Sequence, residues 1–196
     1  MTAESYHSQR LVYRAIEPDA KEDIDLFLVI QQDPLSYQNA NSGTSRPQSS
    51  SDAKAYMKFA TENTQLAVVM CLPASDPDTK DVPIGVIHLD KLPPHQAHHR
   101  RAEIGLQLLR AYQSKGYGGE AIRWVLQWAF MVAGLHRVMT RAHGWNERAL
   151  KLYERLGFKP EGSSRENSWF QGRWWDDPQF GMLESEWRAM QVEEST

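Results

Sequence analysis

The sequence predicts a layered α/β domain, and three observations carry that prediction. Apolar runs of strand length alternate with runs of helical spacing in the order β α α β β β α β α β β. Mixed strands and helices in that order require helices packed on the faces of a sheet. No internal repeat and no clean boundary interrupts the 196 residues, so a single domain over residues 1–196 is expected, within the range one core can serve.

The elements follow in order. LVYRAI (Leu11 to Ile16) alternates and gives the first strand. Asp19 then stands as a helix cap with Glu22 three residues on, and Ile24, Phe27, Leu28 and Ile30 follow at helical spacing up to Asp33-Pro34. Residues 39–52, NANSGTSRPQSSSD, are poor in apolar residues and predict a mobile loop. A second helix is expected from Asp52 to about Glu62, with Ala55, Tyr56 and Phe59 inward. LAVVMCL and IGVIHL form a hairpin of buried strands around a polar connector, and AEIGLQLL (Ala102 to Leu109) follows the loop PPHQAHH. A Trp-rich helix runs from about Tyr117 to Val132, and HRVMTRA is the fifth strand. NERALKLYERLGF opens with an Asn cap and stops at Gly157, as helices that end in a left-handed glycine do. The remainder, to MLESEW, reads as a β-rich tail turning at Gln171-Gly172.

Composition narrows the class. With 41% hydrophobic and 24% charged residues the chain is of ordinary globular type. A net charge of −3 gives no general attraction to nucleic acid or to anionic membranes, so neither is an expected partner. The single cysteine, Cys71, forbids an intramolecular disulfide and makes a reducing compartment the expectation: the cytoplasm, with the nucleus open. MTAESYHSQR lacks the apolar centre of a secretory signal, and the longest apolar stretch, Ile122 to Leu135, is too short to span a bilayer.

Three constellations point to chemistry. QSKGYGGEA (Gln113 to Ala121) joins a strand to a helix with three glycines in four positions. Such a junction offers unpaired backbone N–H groups at the positive end of a helix dipole, which suits a phosphate. It lacks the lysine of a Walker loop and the spacing of a dinucleotide fingerprint, so a plain glycine turn fits the segment equally well. Asn146 and Tyr153 lie seven residues apart on one helix, hence on one face roughly 10 Å apart. A cap and a core residue explain them if each is taken alone. Alternation puts Glu103 with Gly105 and Gln107 on one strand face, opposite Ile104, Leu106 and Leu108. A carboxylate there is unusual unless it is paired, used or at a solvent edge.

Together these residues carry a resemblance. QSKGYGGEA after LQLLRAY resembles the acetyl-CoA signature of the GNAT superfamily of N-acetyltransferases, and HRVMTRAHGWNERALKLYERLGFKPEG resembles the second half of that fold. The tail is similar to the branch that acetylates ribosomal-protein N-termini, polyamines and small amines. The resemblance implies a mixed central sheet splayed at its fourth and fifth strands, with helices on both faces. It implies acetyl-CoA as co-substrate, no metal, and an amine partner: a small molecule or a peptide N-terminus. The strand-end backbone near Leu108 would pair with the pantetheine arm. The amides of Gln113, Ser114, Lys115, Gly116, Tyr117, Gly118 and Gly119 would cradle the pyrophosphate. Asn146 would bond the pantetheine near the sulfur, and Tyr153 would hold the sulfur and protonate the leaving thiolate.

The chemistry suits those residue types. A free amine attacks a thioester directly, so the enzyme needs no covalent intermediate, only binding, oxyanion stabilisation, an acid and a base. Tyr titrates near ~10 and is therefore protonated at neutral pH. Glu103 is the leading candidate for the base, with His88 and His143 behind it. Gln113 stands where the signature commonly has Arg, Arg110 where many members have Pro, and Trp145 is bulky beside Asn146. Two features stay open: the long helix is apolar all round, which reads as burial or as a homodimer contact, and Trp169, Phe170, Trp174 and Trp175 read as core or acceptor pocket. The competing functional reading is a non-catalytic acyl-CoA-binding module; transfer of a longer acyl group, or to a hydroxyl, is a third.

Overall fold

The computed structural model describes residues 6–76 and 78–193. They group into two units: the chain up to Lys91 with Gly105–Val125, and Leu92–Ile104 with the chain from Leu126 onward.

In the first unit β1 (Val12–Arg14), β2 (Thr64–Leu72) and β3 (Val82–Asp90) form an antiparallel ladder with Tyr13 opposite Met70 and Val69 opposite Val86. The second half of β4 (Arg101–Leu108) lies beside β3. Helices α1 (Lys21–Gln32) and α3 (Ser50–Glu62) contribute Leu26, Phe27, Ile30, Ala53, Met57 and Ala60 to a core with Val69, Cys71 and Val86. Burial pushes the Cys71 thiol up, so it stays unionised and inert.

Several expectations need correction here. The cap of α1 is Ala20, with no side-chain hydrogen bond, and not Asp19. The reason is Asp23: its fully buried carboxylate accepts from the Glu17 amide at 2.8 Å and takes the Arg14 guanidinium bidentately, so the chain enters α1 already fastened. A further short helix, α2 (Pro34–Ala40), follows at once, because Pro34 fits a first helical position and Asp33 caps it by accepting from the Leu35 and Ser36 amides. The expected loop therefore loses Asn39 and Ala40 to α2 and residues 50–52 to α3, where Ser49 and Asp52 form a capping box. That earlier start turns the helix so that Ala53, Met57 and Ala60 face inward; Ala55 is exposed and Phe59 largely so.

In the second unit the strand order is β4-β5-β7-β6, from β5 (Arg137–Arg141), β6 (Lys159–Phe170) and β7 (Arg173–Leu183). β4 and β5 are parallel, and their ladder covers only Arg101–Glu103 against Arg137–Met139. Helix α5 (Glu147–Arg155) follows β5, and the tail holds a helix that its β-rich reading missed, α6 (Glu184–Glu193). Trp187 of α6 packs on Phe130 with ring centroids 5.5 Å apart.

Two continuous elements pass through both units, β4 and α4 (Tyr117–Met131). Past Gly105 the burial alternation of β4 reverses: Gln107 is buried, and Leu106 and Leu108 are only half-buried. At the end of α4, Met131 and Val132 are exposed, so the apolar surface is not covered all round. Among the described residues, no helix is long and apolar enough to cross a membrane.

Removing one member of a buried ion pair strands the other, a loss of about 3 kcal/mol. Asp23→Ala is accordingly expected to lower Tm by about 6–12 °C, read by calorimetry, with circular dichroism still native at 25 °C.

Candidate active site

Each unit holds one half of the chemistry the sequence predicts. In the first, β4 ends at Leu108, a single 3-10 turn spans Arg110–Tyr112, and the chain enters α4 through Gln113–Gly116. Ser114 (φ 61) and Gly116 (φ 87) are left-handed, which turns the backbone sharply ahead of α4, and the Gln113 amide donates to the Arg110 carbonyl at 3.3 Å. Gln113 holds the turn from within: its Nε2 donates to the Leu108 carbonyl and to Ser36 Oγ, both at 3.0 Å.

The cradle is also strapped from outside, by residues that sequence reasoning missed. Glu120, in the first turn of α4, accepts from Ser8 Oγ at 2.7 Å, from the Arg10 amide at 2.6 Å and from Arg10 Nε at 2.7 Å. Arg10 Nη1 then donates to the Lys115 carbonyl at 3.1 Å, and its guanidinium lies 4.6 Å from the Tyr117 ring centre. Burial would raise the Glu120 carboxyl, but the hydrogen bonds from Ser8 and Arg10 outweigh it and hold it below the usual range. A Cβ at Gly116 would meet Arg10 Nη2 at 3.1 Å on top of its backbone strain. Ser8 and Arg10 lie more than a hundred residues from Glu120, and nothing local in either segment signals the contact.

In the second unit Asn146 caps α5, its Oδ1 accepting from the Ala149 amide at 3.3 Å. Two turns on, Tyr153 leans on Phe158 and Phe180, with ring centroids 6.0 and 5.8 Å away. Burial pushes the Tyr153 phenol up; the nearby Thr140 hydroxyl opposes this and the Glu103 charge adds to it. Thr140 Oγ1 makes no well-formed hydrogen bond, so its pull is weak and burial wins. Glu103 faces Arg141, whose Nε stands 2.7 Å from its Oε1. The structure thus brings Tyr153, Thr140, Glu103 and Arg141 together.

The tail aromatics divide. Trp169 and Trp174 are cross-strand partners, 60% and 54% exposed, and pack edge to face on each other. Phe170 instead stacks on Trp145 at 4.4 Å, and Trp175 meets Trp145 edge-on at 5.9 Å. Trp145 in turn stacks on His143 at 4.3 Å.

Comparison with known proteins agrees with this geometry. The family model described as an acetyltransferase (GNAT) domain matches residues 10–159, and the chain belongs to that family. The chain is similar to a putative ribosomal N-acetyltransferase of Bacillus subtilis, at 33% identity over 46% of the chain and 50% of the relative. It is also similar to a spermidine N(1)-acetyltransferase of Vibrio cholerae, at 30% identity over 45% of the chain and 51% of the relative. The matched segment spans about half the length of these curated relatives. Among solved structures, that of a spermidine N-acetyltransferase from Vibrio cholerae in complex with CoA and spermine superposes with a TM-score of 0.75, at 22% identity over 91% of this chain and 98% of that one. A GNAT-family acetyltransferase from Bacillus anthracis gives 0.74 at 20% identity, over 91% and 98%. At those identities the likeness establishes the GNAT fold.

Because Glu120 is held ionised by its partners, Glu120→Gln should remove a charge-assisted anchor. We expect a stability loss of about 1 kcal/mol, small because Arg10 is 44% exposed, and a fall in acetyl-CoA affinity measured by calorimetry. The sign of the shift adds that this anchor holds above the usual glutamate range and is lost as pH falls through the lowered value, so the Tm gap between wild type and variant should close on acidification.

Proposed function

We propose that the protein transfers an acetyl group from acetyl-CoA to a primary amine, by direct attack through a tetrahedral intermediate. The observation that carries this reading is the glycine-rich turn Gln113–Gly119 at the head of α4, left-handed at Ser114 and Gly116, in a chain of the GNAT family. The turn's amides would hold the pyrophosphate, and the backbone near Leu108 would pair with the pantetheine. Asn146, at the head of α5, would hydrogen-bond the pantetheine near the sulfur. When bound, acetyl-CoA supplies the activated acyl group; the chain supplies position, hydrogen bonds and protons.

Tyr153 suits the role of acid. Its raised pKa keeps the phenol protonated through neutral and mildly basic pH, so a proton is available for the departing thiolate. Glu103, the base that the sequence puts first, is ion-paired with Arg141, its Oε1 2.7 Å from Arg141 Nε. The amine is a polyamine, another small amine or a protein N-terminus, in keeping with the named relatives. Residues 1–196 are read as one catalytic domain, since the family match takes in parts of both units. The exposed Met131 and Val132 offer an apolar contact to a second copy, and a reducing, cytoplasmic setting suits the lone buried Cys71.

An assay of CoA release with acetyl-CoA and a panel of polyamines, small amines and N-terminal peptides tests the reading, with binding followed by calorimetry. Acetylation of at least one amine is expected; tight acetyl-CoA binding with no amine acetylated would favour the binding-module reading. Tyr153→Phe should lower kcat by on the order of 10²-fold with little change in the KM for acetyl-CoA, and an unchanged kcat removes Tyr153 from the mechanism.

A further inference from the structure

The candidate bases separate once their surroundings are compared. Glu103 is neutralised by Arg141. His88 pairs through Nδ1 with Asp90 at 3.1 Å, but its Cε1–Nε2 edge lies directly against Gly105, where any Cβ would collide with it. Tyr56 and Phe59 box the same ring edge-on. His88 is held as a packing residue.

His143 is held differently. Its Nδ1 lies 3.0 Å from Asp177 Oδ1. The other Asp177 oxygen accepts from Ser168 Oγ and from Asn167 Nδ2, both at 2.8 Å, and Ser168 Oγ also stands 3.1 Å from His143 Nδ1. Asp177 is buried, at 6% exposure, and these bonds keep its carboxyl below the usual range although burial acts the other way. An ionised carboxylate only accepts, so the Nδ1 proton belongs to His143, and the neutral ring carries its lone pair on Nε2. Nε2 makes no hydrogen bond to any described residue and is not sealed from water.

The backbone is shaped to build this arrangement. The β6–β7 ladder breaks between Ser164 and Ser168, with Glu166 in a left-handed conformation (φ 49) and its amide bonded to Asp176 Oδ1 at 2.9 Å. That bulge delivers Asn167 and Ser168 to Asp177. Beyond β5, the Gly144 amide donates to the Asp176 carbonyl at 2.8 Å, and a Cβ at Gly144 would stand 2.7 Å from that oxygen. The ring face is closed by Trp145, itself stacked on Phe170. A histidine with one nitrogen tied to a buried carboxylate, one face covered and the other nitrogen open has the form of an oriented general base.

We propose that His143, positioned by Asp177, is the group that takes the proton from the acceptor ammonium, a role that rests on the acetyltransferase reading above. His143 Nε2 accepts one proton from the ammonium and passes it to solvent. The neutral amine then attacks the thioester carbon, forming the N–C bond, and collapse of the intermediate breaks the C–S bond with the electron pair leaving on sulfur. Tyr153 protonates the thiolate, and the second amine proton returns to Tyr153 through water. One proton is released per turnover. Aromatic Trp145, Phe170 and Trp175 would wall the amine, with the Arg173 guanidinium 3.5 Å above the Trp175 ring showing that this wall accepts a cation.

Asp177 is the charged group in contact with His143; Asp176 meets the Glu166 amide at the bulge, and Arg173 lies over Trp175. The test uses the full chain, acetyl-CoA and whichever panel amine the wild type acetylates fastest. His143→Gln is expected to bind acetyl-CoA as wild type does and to lose about 10²-fold or more in kcat/KM at pH 7. The deficit should narrow as pH rises, because free amine then forms without a base. Nitrogen-15 NMR of the wild type, read in the neutral-imidazole form, should show the His143 ring proton on Nδ1, and Asp177→Asn should shift that tautomer and lower kcat/KM about tenfold. The proposal falls if the proton sits on Nε2, if His143→Gln keeps its rate, or if its loss is the same at every pH, as a structural role would make it. A wild type that binds no acetyl-CoA, or that binds it and acetylates no amine, defeats the acetyltransferase reading and this proposal together; normal wild-type turnover with an unimpaired variant defeats this proposal alone.

Discussion

The carboxylate of Glu120 is the contact on which the predicted cofactor cradle depends. A left-handed serine and a left-handed glycine in sequence are costly to hold, and a glycine-rich turn has little side-chain packing to fix it. Glu120 supplies an anchor one turn into α4, and Ser8 and Arg10 close around it. Arg10 then reaches back to the Lys115 carbonyl, so the turn is bounded at both ends. Tyr13 of β1 stacks on Trp124 one helical turn further along α4, with centroids 3.9 Å apart. The N-terminal strand thus sets where the helix starts, and with it the direction in which its first amides point.

The second unit solves a related problem with a buried acid. Asp177 gathers Asn167, Ser168 and His143, and the desolvation of its charge is met by three side-chain donors. Asp23 does the same in the first unit with Arg14 and the Glu17 amide. In both places a carboxylate with every oxygen occupied fixes a local geometry that apolar packing, having no direction, leaves undetermined. Tyr153 lies on the other side of this logic: a half-buried phenol needs no counter-charge as long as it stays neutral.

Sequence periodicity placed nearly every strand to within two residues, because alternation and helical spacing record which face is dry. It failed where a local polar contact overruled the pattern. Asp19 looked like a cap, yet the chain is fastened by Asp23, which looks like any acidic residue in a first turn. The helix Pro34–Ala40 buries no residue, so it left no apolar stripe to read. Leu106 and Leu108 were assigned inward, and Gln107 took that place. The cradle and the pair Asn146–Tyr153 were legible since both lie within short stretches of fixed spacing.

By itself the sequence determined the α/β class, the glycine turn at a strand-to-helix junction, and a tyrosine two turns below an asparagine cap. Each is a local property, set by backbone preferences and residue spacing within a few turns of chain. Only the tertiary structure decided which of several plausible polar groups are occupied and which are open. Glu103 is joined to Arg141 and His88 is pressed on Gly105, while His143 is held by one nitrogen and open at the other. For Glu103 and His143 that distinction rests on contacts between residues 34 or more apart in the chain, His143–Asp177 and Arg141–Glu103, and no local pattern encodes them.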